Sequence, residues 1–276
     1  MSSLVSVITP TYNRPGELGE LLESLSRQTY KQLQIIIVND NGNPVEPVCG
    51  LYPELDIRVV GLESNGKHVK ARNRALEHAT GRYIMPCDDD DLLVPTHIET
   101  MVRELEADGC DLAYSDAEIV DFRWKDGVRV PESRLLFAYD HDLAAMRKFS
   151  TFVPSGSLYR RSVHEAIGPF DEDVYHYWDW DFFLRVSAGH QVKRVVSAGV
   201  LYAFSQSGGT NLSGQLEEMH PYLNKLSAKH GLGELPTKNF FLLLEEPDIV
   251  SRKADTAVLW DGSPFRSRYS PRLVQG

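Results

Sequence analysis

Leu4-Val5-Ser6-Val7-Ile8-Thr9 alternates apolar and polar residues like a strand, and Pro10-Thr11-Tyr12-Asn13-Arg14-Pro15-Gly16 reads as the loop that ends it. Leu18, Leu21, Leu22 and Leu25 then recur at i, i+3, i+4 and i+7, the single stripe of a helix that packs on a sheet. Gln34-Ile35-Ile36-Ile37-Val38 is aliphatic without alternation, so burial on both faces is expected, as in a central parallel strand. The turn Asn39-Asp40-Asn41-Gly42-Asn43-Pro44 stops it. A weaker strand, Ile57-Arg58-Val59-Val60, leads to a helix predicted over 67–79, with Val69, Asn73 and Leu76 on one face and Gly81 beyond its end. Tyr83 to Met85 is the next strand, and a helix after Pro95 carries Ile98, Met101, Val102 and Leu105 before stopping near Gly109. Successive strand-loop-helix units predict a doubly wound α/β sheet, whose ligands bind beyond the carboxyl ends of the strands. The loops at Tyr12, Asp40 and Asp88 should therefore converge on one crevice.

The second half is more mixed. Residues 111–122 and 149–159 look strand-like, and Ser162 with Glu165 predicts a capping box for a short helix ended by Gly168-Pro169. A helix should follow the aromatic segment Tyr175-His176-Tyr177-Trp178-Asp179-Trp180-Asp181 and run to about Ala188. Residues 191–202 read as one long strand or a strand pair, 205–210 as a loop, and 216–229 as an amphipathic helix. Beyond Gly231 only the apolar patch 240–244 stands out, so an extension or partly disordered tail is expected there.

Composition narrows the class. At 42% hydrophobic and 25% charged, the chain should be folded and globular. A net charge of −10 argues against nucleic acid as a partner, because phosphate backbones are bound by basic surfaces. The longest aliphatic run, Ile35 to Val38, cannot span a bilayer, and the first residues lack the regions of a signal peptide. A cytoplasmic protein is expected, with peripheral membrane association and a homodimer both compatible. Cys49, Cys87 and Cys110 have no metal-binding spacing and should be reduced thiols.

The chemistry concentrates in Asp88-Asp89-Asp90-Asp91, which follows Cys87 between two apolar stretches. Such a run repels itself, and either a divalent cation or a ring of hydrogen-bond donors must offset the cost. Asp88 and Asp90 form an Asp-x-Asp pair suited to Mg²⁺ or Mn²⁺, which takes few protein carboxylates and completes its shell with phosphate oxygens and water. The alternative is a solvated loop, with Asp91 capping the next turn.

Five blocks in order, Val5 to Asn13, Val38-Asn39-Asp40, Lys70-Ala71-Arg72-Asn73, Gly81 to Asp91, and Ile167 to Glu172 with Trp178 to Phe182, resemble the family 2 inverting glycosyltransferases of the GT-A fold. The likeness covers roughly residues 4–212. It implies a Rossmann-like, mostly parallel central sheet flanked by helices, with a smaller mixed acceptor-side region. The expected division is a nucleotide-sugar half at 1–110, an acceptor half of the same domain at 111–231, and a C-terminal extension at 232–276. The implied activity is metal-dependent transfer of a sugar from a nucleotide-sugar donor, UDP-sugar first, to a glycan, lipid-linked or other hydroxyl acceptor, as in glycan or polysaccharide assembly. A nucleotidyltransferase acting on a sugar phosphate and a non-catalytic nucleotide- or sugar-binding module are the competing readings.

By the same resemblance Pro10, Thr11, Tyr12 and Asn13 would shape the nucleobase pocket, with Tyr12 against the base. Asp40 would accept from a base ring N–H, and Arg72 would approach the base or diphosphate. Asp88 and Asp89 would lie near the ribose, and Asp90 would hold Mn²⁺ or Mg²⁺. Asp179 is the implied general base and Asp181 the alternative. Tyr177 and Trp178 are candidate acceptor contacts, although Trp178 stands where many relatives carry Glu. Asn39 likewise replaces an acidic residue, and 205–211 lacks the basic residue often found there. His141, His176 and His220 are the histidines available to stand in, each with an ordinary structural role as the simpler reading.

Overall fold

The computed structural model describes residues 2–204, 216–238 and 243–269. The expected loop at 205–211 and residues 240–242 of the apolar patch lie outside the described residues. Strand β1 (Val5–Thr11) is buried at every position, and its neighbours explain why. It pairs in parallel with β2 (Leu33–Asn39) on one side and β4 (Tyr83–Pro86) on the other, and β3 (Ile57–Gly61) adds in parallel beyond β2. Ile35 and Ile37 of β2 enter one apolar cluster while Ile36 and Val38 enter another, so a polar residue has no place in the run.

Helices α1 (Pro15–Ser26), α2 (Glu46–Cys49) and α4 (His97–Asp108) cover the first face. Leu18, Leu21, Leu22 and Leu25 of α1 are all buried there, each side chain contributing about 1.5–3 kcal/mol relative to exposure. Helix α4 stops at Gly109, whose φ of 66° is the left-handed conformation that closes a helix cheaply only with glycine. The second face carries α3 (Lys67–Leu76), the single turns α5 (Leu143–Met146) and α6 (Val163–Ile167), α7 (Trp178–Ser187) and α8 (Leu216–His230).

Among the described residues the sheet has nine strands in the order β3-β2-β1-β4-β8-β6-β9-β5, with β7 pairing with β6 outside that path. Here β5 is Leu92–Leu93, β6 Leu112–Lys125, β7 Val128–Phe137, β8 Ser157–Arg160 and β9 Val192–Ala203. Strand β8 runs antiparallel to both β4 and β6, so a parallel half joins a mixed half within one sheet. This is the expected α/β architecture. The single long strand β9 resolves the choice left open at 191–202.

Several local expectations fail for identifiable reasons. Within 149–159 only Ser157–Arg160 is strand, preceded by a 3-10 turn at Pro154–Gly156. Ser162 makes no side-chain cap bond, so the capping box is absent. Helix α3 ends at Leu76, and Gly81 serves a different purpose: a Cβ there would sit 2.7 Å from the Ser6 backbone nitrogen. The hairpin partner β7 was not foreseen, although Asp126 and Gly127, at φ 51° and 76°, carry the Asp-Gly turn signature between the strands. Residues 243–269 dock on the sheet through isolated anchors, Trp260 and Phe265 packing with Leu92, Val120 and Leu201. Cys49, Cys87 and Cys110 are buried free thiols. No helix among the described residues is long and apolar enough to cross a membrane.

Candidate active site

The carboxyl ends of β1, β2 and β4 and the start of α7 open on one cavity of about 340 Å³. Pro10, Thr11, Tyr12, Asp40, Arg72, Asp88, Asp89, Asp90, Trp178 and Asp179 all line it. Asn13, Tyr177 and Asp181 do not. Asn13 turns aside to accept from the Asn43 backbone N–H at 2.8 Å, and the Tyr177 ring packs against Trp180.

The acidic run is met carboxylate by carboxylate. Arg72 pairs with Asp88. Thr11 Oγ1 donates to Asp89 at 2.7 Å, while Arg14 Nη1 reaches Asp90 at 2.6 Å and Asp89 at 3.3 Å. Asp91 is no helix or turn cap: it is buried and accepts from Ser155 Oγ and, at 2.9 Å, from the Ala203 backbone N–H, tying the loop to β9. The loop backbone is held as well, since Arg129 donates to the Asp90 carbonyl at 2.8 Å while paired with buried Glu20 at 2.5 Å. Burial raises the pKa of Asp89, Asp90 and Asp91, and neighbouring carboxylates push in the same direction. Arg14 pulls Asp89 and Asp90 back down. Arginines and hydrogen bonds therefore offset much of the repulsion within the chain itself.

Asp40 is buried, which raises its pKa, and the N–H of Gly66 donates to its Oδ1 at 2.6 Å. Tyr12 stands at the mouth with 49% of its surface exposed. Arg72 is almost fully buried. Besides Asp88 it donates to His68 Nδ1 at 2.7 Å, and its guanidinium lies 4.1 Å from the centroid of the Trp178 ring. A guanidinium is always a donor, so His68 keeps its proton on Nε2; burial, then the Arg72 charge, hold its pKa well below the ordinary value. Trp178 thus serves as a platform for Arg72 while also bordering the cavity.

Asp179 and Asp181 sit in the first turn of α7 and face opposite ways. Asp179 borders the cavity, where burial and the Asp88 charge raise its pKa to about 6 against the opposing pull of the Trp180 N–H and Arg72. Asp181 has no exposed surface. Burial alone would raise its pKa, but His230 and Lys229, each 2.7 Å away, and Arg185 at 2.8 Å bring it down to about 2. It fastens α7 to the end of α8.

Arg14, Lys67, His68, Tyr175, His176 and Tyr202 also line the cavity. Of these His176 and Tyr175, the latter within the aromatic segment, were named from sequence; His141 packs on Tyr114 and Phe152, and His220 binds Thr237 at 2.9 Å. Arg14 was legible as the basic residue in the loop that faces the acidic run. An exposed aromatic ring, three basic groups and a carboxylate wall around one cavity suit a flat base attached to a polyanion.

The sequence profile described as Glycosyl transferase family 2 matches residues 6–168. The chain is also 54% identical over 264 residues, 96% of its length and 98% of the relative's, to the uncharacterized glycosyltransferase YwdF of Bacillus subtilis (strain 168). The chain belongs to glycosyl transferase family 2. It is accordingly a glycosyltransferase, and the nucleotidyltransferase and non-catalytic readings give way. Among solved structures it is similar to S. aureus TarS in complex with UDP-GlcNAc, with a TM-score of 0.61 and 19% identity over 82% of this chain and 66% of that one. The mannosyltransferase PcManGT from Pyrobaculum calidifontis, in complex with GDP-Man and Mn²⁺, gives a TM-score of 0.61 and 19% identity over 86% of this chain and 66% of that one. Each solved chain extends beyond the part matched. The shared fold is GT-A.

Proposed function

We propose that this glycosyltransferase takes its sugar from a UDP-sugar and that Asp179 removes the proton of an acceptor hydroxyl as that hydroxyl attacks the anomeric carbon, inverting it. The observation that carries the reading is Asp179 itself: one carboxylate of α7 borders the cavity, with a pKa raised to about 6. A carboxylate so tuned is ionised at neutral pH yet more basic than an ordinary aspartate. Asp181, held by Arg185, Lys229 and the His230 ring away from the cavity, leaves one α7 carboxylate facing it, which suits direct displacement rather than a second nucleophile.

Tyr12 would lie against the uracil, and Asp40, with Oδ1 occupied by Gly66, would offer Oδ2 to the ring N–H. Asp88 is the better ribose contact, because Thr11 and Arg14 already engage both oxygens of Asp89. Arg14 and Arg72 would face the diphosphate. Asp90 would hold Mn²⁺ or Mg²⁺. The donor set fits: among the described residues no group of three or more His, Cys, Asp or Glu forms a cage, and Mg²⁺-type ions take one or two carboxylates and complete the shell with phosphate and water. When bound, the cation supplies Lewis-acid neutralisation of the departing diphosphate.

Calorimetry and product analysis test this. UDP with Mn²⁺ is expected to bind at least tenfold more tightly than GDP, chelation of the metal to abolish transfer, and NMR to find the product anomer opposite to the donor's. Equal binding of GDP overturns the base assignment, undiminished transfer in EDTA the metal, and a retained anomer the single displacement.

A further inference from the structure

We propose that Arg14 is a resident counter-ion of the acidic loop, competing with the divalent cation for Asp90 and yielding that carboxylate when a diphosphate arrives. The exchange presupposes Asp90 as the cation's ligand, the reading proposed above.

The competition follows from who holds the oxygen. Arg14 Nη1 lies 2.6 Å from Asp90 Oδ2, a charge-assisted hydrogen bond, and the same nitrogen reaches Asp89 Oδ1 at 3.3 Å. A divalent ion on that oxygen would stand directly against the guanidinium, so one positive partner must move before the other is seated. Arg14 also has reason to stay where it is. It is the residue preceding α1, where the helix dipole disfavours a positive charge, and the carboxylates compensate for that.

The loop is built so that this partner can be exchanged without collapse. Asp90's carbonyl is fixed by Arg129, which Glu20 anchors in the interior, and Asp89 retains the Thr11 hydroxyl if Arg14 departs. The pair itself is not sealed in: the Arg14 side chain is 30% exposed and that of Asp90 23%, both at the wall of the cavity. A diphosphate brings the planar, two-toothed anion that a guanidinium binds best, giving Arg14 a replacement partner as Asp90 is released. Metal and nucleotide should then raise each other's affinity by the same factor.

The test follows Mn²⁺ uptake by the loss of its free-ion electron paramagnetic resonance signal, which requires no turnover. For the wild type, Mn²⁺ affinity should be at least tenfold higher with UDP than without it. Arg14→Gln should bind Mn²⁺ at least fivefold more tightly than wild type in the absence of nucleotide, and should show a reduced UDP effect. Arg14→Lys keeps the charge and should stay near wild type in the absence of nucleotide; Arg14→Gln combined with Asp90→Asn should lose the gain. If Arg14→Gln leaves nucleotide-free affinity unchanged or weaker while Asp90→Asn abolishes uptake with UDP, the counter-ion role fails and the metal assignment stands. If Asp90→Asn leaves uptake with UDP intact, the metal assignment itself fails. Equal wild-type affinity with and without UDP overturns the exchange even if a variant does not fold.

Discussion

Two acidic groups, one at the end of β4 and one at the start of α7, contribute carboxylates to the same cavity. At the end of β4, Asp88 to Asp90 meet Arg72, Thr11 and Arg14, and Asp91 is buried against Ser155 and Ala203. At the start of α7, Asp179 has the N–H of Trp180 and a more distant Arg72, while Asp181 two residues on is surrounded by Arg185, Lys229 and His230. Similar residues therefore acquire different work. Asp181, held by Arg185, Lys229 and His230, fixes α7 in place and is drawn down to about 2, whereas Asp179, with fewer opposing partners, is left at about 6. In the acidic run burial wins, raising Asp89 to about 7 although Arg14 and Thr11 pull it down. Pairs of titratable groups whose surroundings push them apart are where acid and base roles can be assigned.

The largest expected effect comes from removing the unmatched member. Asp179→Asn should lower kcat by about 10²–10⁴-fold, the usual worth of a general base, with UDP affinity in the presence of Mn²⁺ unchanged within about twofold. The sign of the pH dependence follows, because a base works only when deprotonated. Wild-type kcat should be full above pH 7 and fall as pH drops through about 6, and the variant's residual rate should lack that limb.

Breaking the matched member of α7 should act on stability instead. Asp181→Asn should destabilise the fold at pH 7 by about 2 kcal/mol, as a fully buried carboxylate lowered from 3.8 to about 2 implies. A lowered carboxylate pKa contributes stability that is complete above about pH 4 and lost as pH falls toward 2, so the gap from wild type in urea unfolding should close over that range. A kcat loss as deep as that of Asp179→Asn, with stability intact, would transfer the base role to Asp181.

Arg72 is the cation both groups share, and its removal should sharpen the contrast. Arg72→Met takes away a charge that favours ionised Asp179, so the acid limb of the rate profile should move to higher pH by on the order of half to one unit. The smallest effect is expected from Trp178→Phe, which keeps a ring under the guanidinium and should cost about 1 kcal/mol or less of thermal stability. An acceptor KM raised tenfold with stability unchanged would make the indole an acceptor contact rather than a support for Arg72.

How legible each region was depended on how local its determinants are. The unbroken aliphatic run at Ile35 to Val38 and the leucine stripe of α1 report their surroundings within a few residues, and both elements formed as read. The acidic run was equally visible, but its partners were not: Arg14 and Arg72 reach it from another loop and a helix, so the share of the repulsion that the chain's own cations offset could not be read from sequence. Trp178 posed the same difficulty, since aromatic alternation cannot disclose that Arg72, far earlier in the chain, lies on its face. Strand β7 was obscured by polar and charged residues in Arg129 to Arg134, yet Asp126-Gly127 was an available hairpin signal. The C-terminal anchors Trp260 and Phe265 are single aromatics without periodicity, and only the groove they fill gives them meaning.

The central claim is that surroundings, not residue type, separate Asp179 from Asp181, and carboxylate titration by ¹³C NMR reads this directly. With aspartate side chains labelled and the two signals assigned through Asp179→Asn and Asp181→Asn, Asp179 should titrate near pH 6 and Asp181 near pH 2. An Asp179 signal that titrates at or below the ordinary value of about 4 would contradict the account, whatever the activity of the variants.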